Sequence, residues 1–126
     1  MIYDQLCSRF AVPREYDRTQ LYFAEGEGRV YLRTGSRMLL NRMRTTLEIA
    51  DVNVPEALRG QGMFRAILDD CERYCAGRGI DAMFVENVIS EIVAGALTRR
   101  DYGRRTGAYP GAPCDWWKRI EGAQHG

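Results

Sequence analysis

Residues Leu47 to Arg78 read LEIADVNVPEALRGQGMFRAILDDCERYCAGR and constrain the fold more than any other stretch. The first eight residues are rich in β-branched and apolar side chains, and Pro55 ends them, which predicts a long, largely buried strand. From Gly62, apolar residues recur at helical spacing: Met63, Phe64, Ile67, Leu68, Cys71, Tyr74 and Cys75. Gly77 and Gly79 are placed to stop that helix near Arg78. A strand, a glycine-flanked loop and a helix in immediate succession commit the chain to a layered α/β arrangement, with the helix covering a sheet.

The rest of the chain supplies the other layers. Ile2, Leu6 and Phe10 share one face of a short helix over Met1–Phe10, which Pro13 ends. Leu21–Ala24 and Arg29–Arg33 alternate as strands around the turn Glu25–Gly28, and Thr34-Gly35-Ser36 reads as the next turn. Met38–Leu40 then reads as a further strand, with a turn at Asn41-Arg42 or Arg44-Thr45; an amphipathic helix over Arg37–Arg44 is the alternative. Ala82–Val88 is a strand, and Ser90 is a fitting cap for a helix reaching Arg99 or Arg100. Tyr102–Arg104 and Asp115–Ile120 close the list of strands, with a loop over 109–113 between them and a tail over 121–126. The expected class is mixed α/β (α+β), a sheet antiparallel at first with a strand–helix–strand crossover in the middle.

At 126 residues, with 45% hydrophobic residues and a formal charge of +1, the chain is expected to form one domain over 1–126. The charge balance argues against nucleic-acid binding through charge alone. No apolar run is long enough to span a membrane, and the first residues lack a leader's apolar segment. The four cysteines fit neither a metal knuckle nor a disulfide framework, so no metal and a reducing, cytoplasmic setting are expected.

Residues 58–64 carry the chemistry. Gly60 and Gly62 have no side chain to obstruct a ligand and both tolerate positive φ. The first amides of the helix lack partners, and the helix dipole adds partial positive charge there. Arg59 adds a full charge, and no acidic residue occurs between Glu56 and Asp69. An outside anion, phosphate above all, is the natural complement. The alternative is a glycine-rich connection that binds nothing. The loop is neither a Walker A sequence nor a dinucleotide fingerprint.

Val54-Pro55-Glu56-Ala57-Leu58-Arg59-Gly60-Gln61-Gly62-Met63-Phe64 resembles motif A of the GCN5-related N-acetyltransferase (GNAT) superfamily, an apolar strand followed by Gln/Arg-x-x-Gly-x-Gly/Ala. Arg59 matches the first position and Gly62 the fourth; Phe64 replaces the usual small sixth residue. Ile80–Val88 followed by Ser90–Tyr102 is similar to the family's next strand and helix, with Asp101-Tyr102 where a glycine–aromatic pair is usual. The resemblance covers Leu47 to Arg104 and implies a GNAT-like, mostly antiparallel twisted sheet. It divides the chain into a variable part (1–45), a cofactor-binding core (46–104) and a C-terminal strand and tail (105–126).

By the same resemblance, Val52, Asn53, Val54, Arg59, Gly60, Gln61, Gly62, Met63, Phe64 and Ser90 bind acetyl-CoA. A backbone amide within Val52–Val54 would face the thioester oxygen as it turns negative. The implied activity is acetyl transfer to a primary amine by direct attack on the thioester. The acceptor would be a small molecule, a protein or a modified nucleotide, and such domains often dimerise. The alternative is a GNAT-fold module that binds a protein or nucleic-acid partner with little or no catalysis. Leu97 falls where many members carry an acid tyrosine, which leaves Tyr102, Tyr109 or water for that role. Glu48 is the first candidate base and Asp51 the second. Simple alternation groups Glu48 with Ala50, Val52 and Val54, and Asp51 with Ile49 and Asn53. Glu86 and Asn87 are expected on the acceptor side. The arginines at 99, 100, 104 and 105 suit a cofactor phosphate, an acidic partner or a solvated surface.

Overall fold

The computed structural model describes residues 1–10, 17–88, 90–105 and 114–120. The elements in order are α1 (Tyr3–Arg9), β1 (Arg18–Phe23), β2 (Gly28–Leu39), β3 (Arg42–Asn53), α2 (Met63–Arg78), β4 (Ala82–Val88), α3 (Glu91–Arg99), β5 (Gly103–Arg105) and β6 (Cys114–Arg119). Among them they form a six-stranded sheet in the order β1-β2-β3-β4-β6-β5. β3 and β4 are its parallel neighbours, joined through α2; the other pairs are antiparallel. The expected mixed fold, with a mostly antiparallel sheet and a central crossover, is the one observed. Pro13, the loop over 109–113 and the tail over 121–126 lie outside the described residues.

The main core fills one face of the sheet. Leu21, Val30, Leu32, Leu47, Ile49, Met83 and Val85 project into it from the strands. They meet Ile67, Leu68, Cys71, Tyr74 and Cys75 from α2, and Ile2, Leu6 and Phe10 from the α1 segment. Each large apolar side chain buried here contributes about 1.5–3 kcal/mol over its exposed state. The predicted helical periodicity of α2 is therefore the face that meets the sheet. α2 also holds α1 by polar contacts: the Tyr74 hydroxyl donates to the Phe10 carbonyl, and the Arg73 guanidinium lies 3.8 Å over the Tyr3 ring. The opposite face carries a smaller cluster of Leu39, Ala82 and Phe84 with Trp117 against it. Trp116 packs on the main core, so the two tryptophans face opposite ways, as strand alternation predicts.

One expectation about β2 fails. Thr34-Gly35-Ser36 is no turn; β2 runs through it to Leu39, so Met38 and Leu39 are strand, as first read, and not the alternative helix over Arg37–Arg44. The turn falls instead at Leu40-Asn41, both with positive φ (51° and 67°), in a two-residue connection between Leu39 and Arg42. Two successive left-handed residues match the right-handed twist of a hairpin. The local turn preference of Thr-Gly-Ser loses because each residue has a β3 partner, Thr34 with Leu47, Gly35 with Thr46 and Ser36 with Thr45. Gly35 keeps its space for another reason. A Cβ there would sit 3.4 Å from Glu48 Oε2.

Candidate active site

The site begins with an irregularity in β3. Tyr31 pairs with Asp51 and Leu32 with Ile49, so Ala50 is an extra residue opposite β2. A bulge of this kind resets the alternation. Before it, Leu47 and Ile49 face the main core; after it, Val52 and Val54 do. Glu48 and Asp51 therefore share the opposite face. This corrects the grouping that uninterrupted alternation predicts, in which they are opposed and Glu48 sides with Val52. The missed signal is long-range, since the bulge exists only relative to β2.

Beyond the bulge the sheet splits. Parallel pairing of β3 with β4 runs from Thr46–Ala82 to Ile49–Val85 and stops there. β3 continues to Asn53 on β2, and β4 continues to Val88 on β6. Over 50–53 the edge of β3 that faces β4 thus has no strand partner among the described residues. A second register shift, between Val85 and Val88, turns β4 away, with Asn87 at φ 54°. Asparagine is among the few residues that take this conformation readily.

A cavity of about 1020 Å³ opens in the split. Its walls are Ile49–Val54 on one side and Val85–Val88 on the other, with the start of α2 and the inner side of α3 completing it. Nine of the ten residues expected at the cofactor line it; Gln61 does not, and its amide donates instead to the Ala57 carbonyl at 3.0 Å. Gly60 and Gly62 have φ of 77° and 79°, and an added Cβ at either would meet nothing within 4 Å. No side chain caps α2, and its first turn carries no acid. Arg59 Nε donates to the Val54 carbonyl at 3.2 Å, tying the loop to the end of β3. Ser90 caps α3, its hydroxyl accepting from the Val93 amide at 3.3 Å. These are the features of an anion cradle: open backbone donors, a free helix N-terminus and no competing carboxylate.

The three residues expected to be catalytic are dispersed. Asp51 is exposed and lines the cavity. Glu48 lies outside it, its carboxylate gripped by Arg37 Nε at 2.8 Å, Arg33 Nη2 at 3.2 Å and Thr46 Oγ1 at 3.1 Å. Burial raises its pKa, but the hydrogen bonds and charge of Arg37, with Thr46, outweigh that and hold it below the usual 4.5. The Tyr102 hydroxyl is buried and donates to Glu72 Oε2 at 2.9 Å. Burial and the Glu72 carboxylate push its pKa far up. Leu97 is fully buried in the main core. Glu86 and Asn87, expected on the acceptor side, do line the cavity. Sequence reading missed Arg33 and Arg37, because nothing local links them to carboxylates 11 to 53 residues away.

Glu48 gives a testable pH dependence. Its folded pKa lies below its unfolded one, so it contributes stability above about pH 4.5 and loses that contribution as pH falls through the folded value. Thermal melts of wild type and Glu48→Gln should therefore differ most near pH 7 and converge below pH 4.5. A constant difference across that range would show that the charge of Glu48 contributes nothing.

No family model matches the sequence, and no curated protein is similar to it. Solved structures do match. An acetyltransferase of the GNAT family from Staphylococcus aureus aligns at TM-score 0.55 and 14% identity, over 79% of this chain and 65% of its own. A protein from Agrobacterium tumefaciens assigned as an acetyltransferase aligns at TM-score 0.57 and 20% identity, over 94% of this chain and 85% of its own. The fold is GNAT-like. A mutant of the toxin AtaT, bound to the C-terminus of the antitoxin AtaR and acetyl-CoA, aligns at TM-score 0.58 and 13% identity, over 74% of this chain and 58% of its own. At identities this low, these superpositions show a shared fold alone. Among the described residues no helix is long and apolar enough to cross a membrane.

Proposed function

We propose that the protein is an N-acetyltransferase that uses acetyl-CoA and transfers the acetyl group to a primary amine by direct attack on the thioester. One observation carries this reading: the split between β3 and β4 opens onto the uncapped, glycine-flanked start of α2, so an anion cradle and a cleft share one cavity. Acetyl-CoA fits these residues. The pyrophosphate would lie on the amides of residues 60–64, beside Arg59, and the arm along Val52, Asn53, Val54 and Ser90. The core that binds it is residues 46–104. When bound, acetyl-CoA supplies an activated acyl thioester.

The chain's own groups orient the reactants and move protons. Amides on the unpaired edge of β3 are placed to stabilise developing negative charge. Asp51 takes the amine proton, directly or through water, because it is an exposed residue of the cavity lining while Glu48 is held by two arginines. Tyr102 is buried against Glu72 away from the cavity, which leaves water or Tyr109, outside the described residues, to supply the proton on the thiol side. Juxtaposing the two reactants supports turnover without a dedicated acid.

Leu97, buried where many GNAT members carry an acid tyrosine, favours a second reading, a GNAT-fold module that binds acetyl-CoA but works through a partner. One pair of measurements separates the two. Acetyl-CoA at 100 times its Kd should raise stability by about 2.7 kcal/mol under either reading. Thiol release across a panel of primary amines should occur only under the first. No thermal shift at millimolar acetyl-CoA sinks both.

A further inference from the structure

The face of the sheet away from the main core holds a charged belt just where β3 and β4 part. Arg33 and Arg37 stand four residues apart on β2, with Gly35 between them. Arg33 Nη2 bonds Glu48 on β3 and reaches Glu86 on β4. Arg37 bonds Glu48 Oε2 at 2.8 Å and Glu86 Oε1 at 3.4 Å, and lies 3.8 Å from Asp115 Oδ2 on β6. Its guanidinium rests 4.0 Å over the Phe84 ring, which stacks on Trp117. Two cations thus join three carboxylates on three strands. The last parallel pair is Ile49–Val85, so Glu48 lies just before the split and Glu86 just after it. The belt continues into the backbone, because the Asn87 amide donates to Asp115 Oδ1 at 3.2 Å.

We propose that Arg33 and Arg37 are positioning residues that hold the Glu86–Asn87 wall of the cleft in place and so determine how an acceptor amine is seated. The amine clause rests on the acetyltransferase reading; the structural clause does not. Guanidinium groups suit this task, since their several donors can serve two or three carboxylates at once.

The test combines amide hydrogen exchange with kinetics. In Arg37→Met the Asn87 amide should exchange at least ten times faster than in wild type, while Met83, in the paired part of β4, stays unchanged. In acyl transfer the same variant should raise KM for the amine about tenfold, leave the acetyl-CoA-induced thermal shift unaltered, and be partly rescued by Arg37→Lys. Wild-type exchange at Asn87, or equal acceleration at Met83, would overturn the proposal. Should Arg37→Met not fold, Arg33→Met, which removes the other cation on Glu48 and Glu86, decides by the same comparison. If wild type acetylates no amine, the functional reading falls while the exchange data still decide the role of the belt.

Discussion

Replacing Gly62 with valine should abolish the stabilisation by acetyl-CoA, with affinity falling on the order of 100-fold, about 2.7 kcal/mol. Gly62 sits at φ 79° and ψ 15°, immediately before α2. A left-handed backbone costs an L-residue about 1–2 kcal/mol, and a β-branched one is a true outlier there. The variant must therefore either keep the strain or move the loop, and moving the loop misaims the amides that make the cradle. The added side chain also enters open space at the cavity, where nothing lies within 4 Å of the new Cβ. Gly77→Ala, on the same helix, supplies the control. It too meets nothing within 4 Å, but its φ is not left-handed, so the acetyl-CoA shift should persist. Titrating acetyl-CoA against melting temperature in the three proteins gives the answer. Wild-type affinity in Gly62→Val would mean that the anion binds elsewhere.

Glu72→Ala should cost about 3 kcal/mol of stability, the lower end of the range for removing one partner of a buried charge network, because this network is partly buried. Glu72 stands on α2 and accepts from three directions: the Tyr102 hydroxyl at 2.9 Å, Arg100 Nε at 3.2 Å and Lys118 Nζ at 3.2 Å. It thereby ties α2 to the end of α3 and to β6. Tyr102 is 4% exposed, and without Glu72 its hydroxyl keeps only a weak contact with Met83 Sδ at 3.6 Å. The expected fall in melting temperature is about 10 °C or more for a domain of this size. Glu72→Gln, which retains an acceptor for the hydroxyl, should cost less. Tyr102→Phe should lower stability by about 1 kcal/mol and leave the rate of thiol release unchanged. A loss below about 1 kcal/mol in Glu72→Ala would show that solvent replaces the network. A large rate loss in Tyr102→Phe would return that hydroxyl to the chemistry.

Much of the fold was legible because its signals are local. The β3–loop–α2 unit announces itself through an apolar run, a proline, two glycines and a periodic helix, all within 32 consecutive residues. The carboxylate-free start of α2 is visible in the same way. The β2–β3 hairpin was misread where a local turn signal at Thr34-Gly35-Ser36 competed with pairing to β3. Cross-strand partners there outweigh the preference of three residues for a bend.

The chain's own order of residues thus determined the features of the proposed cradle: glycines at 60 and 62, Arg59, and no acid between Glu56 and Asp69. Only the tertiary structure decided which carboxylates reach the cleft. The bulge at Ala50 turns Asp51 to the side of Glu48, and the arginines at 33 and 37 then occupy Glu48 while Asp51 stays open. The physical reason is range. Capping, turn and helix preferences act over a few residues, whereas register is set between strands distant in sequence, and a one-residue shift reverses every side chain beyond it.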